Sequence, residues 1–329
     1  MTLGKLKMKR IAALMLVLAV CFSLAACKNR TPVYERKTPV YLETPEPKTD
    51  SPWGDGKNST PVPVEEETPA PGPSYTFSGY AFCVMNAATG EVVLGKNEND
   101  RNYIASITKL LTCLTALDYL SPEESVKIEP GWLDFLKKDE SIECYGFKEG
   151  STQKVDDLVC MALIRSFGDA AVVLGKAAEV RAGRPFIDLM NEKALLYGMY
   201  SSHFDNVIGL DIGNNYTENY STAADAARLM KEALKNETVM RASAGKSIKL
   251  SNGTTLSNTS SYLANGSNSD LYEIIGGKTG STKAAGSNLA LAVRNTSNGD
   301  IYAVVYLHAS GVNVLAAELH EIIESVCGE

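Results

Sequence analysis

The sequence predicts an α/β fold in which one sheet is assembled from both ends of a domain and helices cover both of its faces. Three observations carry this expectation. Two apolar runs around a turn, GYAFCVMNAATGEVVLG, open the folded part; a long middle, about 118 to 235, is helical in period; and three strand-like runs, LYEIIGGKTGST, SNLALAVRNT and IYAVVYLHA, follow late. No internal repeat is visible.

The chain has 329 residues and a net charge of −7 without a basic cluster, which gives no reason to expect nucleic-acid binding. Lys5, Lys7, Lys9 and Arg10 precede IAALMLVLAVCFSLAA, an uncharged run of 16 residues. That run is shorter than the ~20 residues of a spanning helix. A basic start, a short apolar run and small residues after it make residues 1–26 an export signal. LAAC, Leu24 to Cys27, resembles the bacterial lipobox, which implies lipidation at Cys27 and a membrane anchor through that lipid. The expected location is the outer face of the bacterial cytoplasmic membrane. Residues 27–76 hold ten of the 13 prolines, with Glu, Lys and Thr between them and no apolar period. Such text cannot bury enough surface to offset its ordering entropy, so a disordered tether is expected, able to reach on the order of 150 Å when stretched.

Residues 77–329 remain for one folded domain. Its hairpin turns at Thr89-Gly90. A helix begins near Ala105, with Leu110, Leu111, Leu114 and Leu117 at i, i+3, i+4 spacing. VDDLVCMALIRS, PFIDLMNEKALLYGM and TAADAARLMKEALKN carry helical periods, and STAAD at Ser221 to Asp225 supplies capping hydroxyls before an acidic first turn. The late strands are separated by Asn/Ser/Gly text such as NTSNGD. In the closing helix, VNVLAAELHEIIESV, Leu315, Leu319, Ile322 and Val326 share a face. Cys83, Cys113, Cys144, Cys160 and Cys327 are scattered and odd in number, which favours buried free thiols over a disulfide framework or a metal site. The three histidines show no metal-binding spacing, and His203 is expected to be structural.

Ser-x-x-Lys occurs three times, as SITK at Ser106, STQK at Ser151 and SAGK at Ser243. Only SITK opens an otherwise apolar helix, where Ser106 and Lys109 are neighbours on one face. A serine hydroxyl is a weak nucleophile that needs a base in reach. A lysine becomes that base when burial brings its pKa toward neutrality. The helix N-terminus adds free backbone N–H groups for a developing oxyanion. The plainer alternative is a capping serine beside an exposed lysine. Far downstream, Lys278-Thr279-Gly280 is the only KTG in the chain, at the end of a strand-like run. Lys278 and Thr279 suit a substrate carboxylate, Gly280 permits close backbone passage, and the N–H of Ser281 can complete an oxyanion hole. Between the two lies MALIRSFGDAAVVLG, with Ser166 at a helix start and Asp169 after it.

Ser-x-x-Lys, a middle serine and Lys-Thr-Gly in this order resemble the low-molecular-weight penicillin-binding proteins, specifically serine-type D-alanyl-D-alanine carboxypeptidases. The likeness runs over roughly 77 to 310, through ATGEVVLGKNEND, FIDLMNEKALLYGMYSSHFDNVIGLD, NYSTAADAARL and KTGSTKAAGSNLALAV. It implies a β-lactamase/transpeptidase-like fold, an antiparallel five-stranded sheet covered by helices plus a mostly helical subdomain. It also implies that Ser106 attacks the carbonyl between the last two D-alanines of a peptidoglycan stem peptide while Lys109 takes its proton. Ser166 would relay a proton to the leaving amine. Lys278 and Thr279 would hold the terminal carboxylate, the charge of Lys278 would help keep Lys109 neutral, and the Ser106 and Ser281 amides would bind the oxyanion. β-Lactams would acylate Ser106, and no metal or organic cofactor is needed. The second β-rich domain and C-terminal anchor of many relatives are expected to be absent.

One position departs from the pattern. The family's middle motif is Ser-Gly-Asn, whereas this chain reads Ser166-Phe167-Gly168, so the amide that helps order the lysines and bind peptide is missing. Ile104 also replaces a usual proline. A lost positioned donor costs on the order of 10²- to 10³-fold in rate. The sequence therefore leaves two readings: an active carboxypeptidase, and a weak or inactive relative that binds peptidoglycan or β-lactams as a sensor or scaffold. A β-lactamase is a minor third, with no ExxLN-type stretch between Ser166 and Lys278. If Gly168 is the defect, Gly168→Asn is expected to raise turnover.

Overall fold

The computed structural model describes residues 77–328 except 135, 137–140, 212–218 and 266–268. The export signal, Cys27 and the proline-rich tether lie outside the described residues. Nine strands are described. The main sheet contains β1 (Ala81–Asn86), β2 (Val92–Lys96), β7 (Tyr272–Thr282), β8 (Gly286–Asn295) and β9 (Ile301–Ala309), in the order β2-β1-β9-β8-β7 with every pairing antiparallel. Its strands come from the two ends of the domain, as the sequence led one to expect. β1 and β9 join those ends, with Cys83 opposite Val305.

Alternation along the strands sets the two faces. Phe82, Val84, Leu289, Leu291, Tyr302, Val304 and Tyr306 point into one core, with Leu315, Leu319, Ile322 and Ile323 of the closing helix, α8 (Val312–Cys327). Ala81, Cys83, Ala290, Ala292, Ala303 and Val305 point into the other. Alanines on that face let a helix approach closely, and α5 (Ala223–Ala233) packs there with its own Ala223, Ala224, Ala226 and Ala227 buried. Its start is capped as the STAAD text implies, because Thr222 Oγ1 accepts the Asp225 amide at 3.0 Å.

The helical part comprises α1 (Thr108–Ala116), α2 (Val155–Ile164), α3 (Gly168–Ala182), α4 (Phe186–Leu196), α6 (Glu237–Ser243) and α7 (Ser261–Asn265). A 3₁₀ turn, Ala105–Ile107, precedes α1, so the helix expected near Ala105 starts three residues later. Two small ladders were not foreseen: β3 (Ser125–Lys127) with β4 (Thr152–Lys154), and β5 (Ser247–Lys249) with β6 (Thr255–Ser257). Three-residue strands are too short to carry a readable alternation. All five cysteines of the domain are free; four are buried, and Cys144 is exposed where burial was expected.

Candidate active site

All nine residues of α1 are buried, including Thr108, Lys109 and Thr112. The helix joins five apolar residues to three threonines and a single lysine, so no face of it is strongly polar and Lys109 is carried in with the rest. Lys109 is 3% exposed, and its Nζ lies 2.8 Å from Ser106 Oγ and donates to Ile208 O at 2.9 Å. Burial disfavours the ammonium form and brings the Lys109 pKa down from 10.5 to about 7. With the amine neutral, its lone pair is open to the Ser106 hydroxyl proton.

Lys278 on β7 is 1% exposed and donates to Ser166 Oγ at 3.0 Å and to Thr279 O at 2.9 Å. Burial pushes its pKa well down, and the nearby Lys109 amine adds to the effect. The expectation that the Lys278 charge keeps Lys109 neutral is thus replaced: burial does that, and the repulsion weighs on Lys278.

These groups meet at one cleft of about 950 Å³, whose walls include Ser106, Lys109, Ser166, Thr279 and Ser281. Lys278 stands one layer behind, reaching the cleft through Ser166. β7 is one of the sheet's two edge strands and runs directly against the 3₁₀ turn. A Cβ on Gly280 would lie 2.5 Å from Ile104 O and 3.2 Å from Ser106 N, so only glycine lets the strand pass this close. Ala105 and Ser166 both hold left-handed backbone, at φ 48° and 62°, which costs on the order of 1–3 kcal/mol each. The other two Ser-x-x-Lys sites dissolve into scaffold. Lys154 pairs with Glu123 at 3.2 Å, and Ser243 Oγ donates to Met240 O at 3.1 Å. His203 bonds Asp205 at 2.9 Å away from the cleft walls.

A sequence profile for D-alanyl-D-alanine carboxypeptidases matches residues 66–310. The chain belongs to the D-alanyl-D-alanine carboxypeptidase family. It is 30% identical over 230 residues to the carboxypeptidase DacD of Salmonella typhimurium, covering 67% of this chain and 55% of that one. A D-alanyl-D-alanine carboxypeptidase of Mycobacterium tuberculosis is 28% identical over 263 residues, 77% of this chain and 81% of its own. This chain spans about half the length of the DacD relatives, 55% for the Salmonella protein and 56% for that of Escherichia coli. A solved Streptomyces DD-transpeptidase superposes with a TM-score of 0.64 at 25% identity, over 77% of this chain and 98% of that one. Penicillin-binding protein D2 of Listeria monocytogenes shares the fold, with a TM-score of 0.65 at 24% identity over 78% of this chain and all of its own. The fold is therefore of the β-lactamase/transpeptidase type.

In this carboxypeptidase-family chain the room beside Gly168 is already taken. A Cβ at 168 would lie 2.4 Å from Ile142 Cγ2, and the Gly168 amide donates to Glu143 O at 2.7 Å. Asp169, 2% exposed, accepts the amides of Tyr145 at 3.0 Å and Gly146 at 2.8 Å, so segment 141–147 is fastened onto the α2–α3 turn. Ser141, Ile142 and Glu143 line the cleft. The expectation that Gly168→Asn repairs the site changes sign, because an added side chain overpacks against a branched residue. Gly168→Asn alone is expected to lower the melting temperature by several degrees and slow acylation about tenfold or more. Ile142→Ala in the same chain is expected to recover most of both. A faster Gly168→Asn single variant would contradict this packing.

Sequence reasoning missed Ile208, whose carbonyl holds Lys109, and the cleft wall at 141–143. A backbone carbonyl leaves no residue-type signature, and SIECYGF carries no motif. Among the described residues there is no His/Cys/Asp/Glu group arranged to hold a metal ion, and no helix long and apolar enough to cross a membrane.

Proposed function

We propose that this protein is a serine D-alanyl-D-alanine carboxypeptidase that removes the terminal D-alanine of peptidoglycan stem peptides. The observation that carries the reading is the pair of Ser–Lys contacts at one cleft, each serine bonded to a buried lysine, Ser106–Lys109 at 2.8 Å and Ser166–Lys278 at 3.0 Å. Ser106 Oγ attacks the carbonyl of the last peptide bond as its proton passes to neutral Lys109. The Ser106 and Ser281 amides hold the oxyanion. Ser166, held by Lys278, relays the proton taken up by Lys109 to the leaving D-alanine nitrogen, which leaves Lys109 neutral again, while Thr279, with Lys278 behind it, holds the terminal carboxylate. Water then attacks the acyl-enzyme, with Lys109 again as base, and frees Ser106. β-Lactams, which present a carboxylate beside a strained amide, acylate the same hydroxyl. The chemistry uses no cofactor.

The N-terminal text supports an exported lipoprotein, anchored at Cys27 on the outer face of the membrane, with residues 27–76 as the leash to the wall. Incorporation of labelled palmitate that is lost in Cys27→Ala checks this; unchanged incorporation removes the anchor.

The replacement of the motif amide by Gly168 and Ile142 favours a second reading, a penicillin-binding relative with little turnover. Two measurements separate them. A fluorescent penicillin should label the protein covalently, and D-alanine should be released from a peptide ending in D-Ala-D-Ala. Label without release selects the binder; neither result sinks both.

A further inference from the structure

The cleft has walls of unlike polarity. On the β7 side stand Thr279, Ser281, Thr282 and Lys283, a set suited to a carboxylate. On the other side segment 141–143 puts Glu143 beside Ser166, on a stretch fixed by the Gly168 and Asp169 contacts. The Glu143 side chain is 58% exposed; Oε1 accepts from Arg165 Nη2 at 3.2 Å, and Oε2 has no hydrogen-bond partner among the described residues. The other acid of the cleft, Asp211, is engaged by the Thr282 hydroxyl.

Resting on the carboxypeptidase reading, we propose that Glu143 is a specificity-determining residue that selects peptides carrying an ammonium-bearing side chain upstream of the D-Ala-D-Ala end. Where the family pattern has a neutral amide, this chain has an apolar methyl against Gly168 and a carboxylate one residue further on. A neutral amide both donates and accepts, whereas a carboxylate only accepts and carries charge. The exchange turns a general peptide contact into a preference for a cation. Arg165 neutralises part of that charge and fixes one oxygen, and the side chain remains largely exposed on a residue that lines the cleft. The Glu143 charge also reaches the buried lysines, favouring the protonated form of both Lys109 and Lys278. That second influence acts on every substrate alike, so only a ratio between substrates isolates recognition.

The test compares acetyl-lysyl-D-alanyl-D-alanine with its side-chain amine free or acetylated. For the unaltered protein, kcat/KM for the free amine is expected to exceed that for the acetylated peptide about fivefold, as for a partly exposed ion pair. The ratio should shrink at high salt. Glu143→Gln keeps the shape and an Arg165 contact, and should bring the ratio to about one; Glu143→Lys should invert it. Equal rates for the two peptides, or a ratio unchanged in Glu143→Gln, overturn the inference while penicillin labelling and D-alanine release leave the enzyme reading standing. If no D-alanine is released, the enzyme reading fails, and the same ratio is read as binding to the Ser106→Ala protein. Discrimination there that Glu143→Gln removes supports the inference, and its absence overturns it.

Discussion

Ser106→Ala is expected to abolish covalent labelling by fluorescent penicillin and to lower D-alanine release on the order of 10⁴-fold or more. The hydroxyl is the atom that would become acylated, and among the described residues no other hydroxyl bonds the buried Lys109 amine, which lies 2.8 Å from Ser106 Oγ. The variant should fold. Ala105 and Ile107 are buried around the site, Lys109 keeps its bond to Ile208 O, and only one oxygen is removed. A melting temperature within a few degrees of the unaltered protein makes the loss interpretable. Residual labelling at an unchanged rate would assign the nucleophile to another hydroxyl, Ser166 first, since it shares the cleft and has its own lysine at 3.0 Å.

Lys109→Met should reduce acylation roughly 10³-fold, the usual range for removing a general base. The pH profile gives a sharper test. Because burial lowers the Lys109 pKa to about 7, the neutral base exists above that pH and is lost below it. The rate of penicillin acylation should therefore fall about tenfold per unit below pH 7 and flatten above it. An ordinary exposed lysine would keep the rate rising toward pH 10. A profile still climbing at pH 9 would show that Lys109 is not held as a neutral amine, and the dyad would lose its base.

Much of this was legible in the text because it is local or periodic. The hairpin, α1, the capped start of α5 and the closing helix follow from spacing of apolar residues and capping hydroxyls. Ser106 and Lys109 are neighbours by helical geometry alone, so their contact needs no tertiary information. Lys278 is different. Its distance from Ser166 in sequence is 112 residues, and only the motif order of a known family pairs them. Gly168 shows the limit most clearly. Its identity was visible as a missing amide, but the sign of its effect depends on Ile142, which approaches from a segment with no motif.

By itself, the sequence determined which residues are candidates for chemistry and which segments take regular structure, because residue type and short-range period decide intrinsic reactivity and local backbone. Tertiary structure decided the burial of the two lysines that lowers their pKa values, the partner carbonyl of Ile208 and the filling of the space at Gly168. Desolvation and steric exclusion depend on which distant atoms arrive at a point, and no local pattern encodes that arrival.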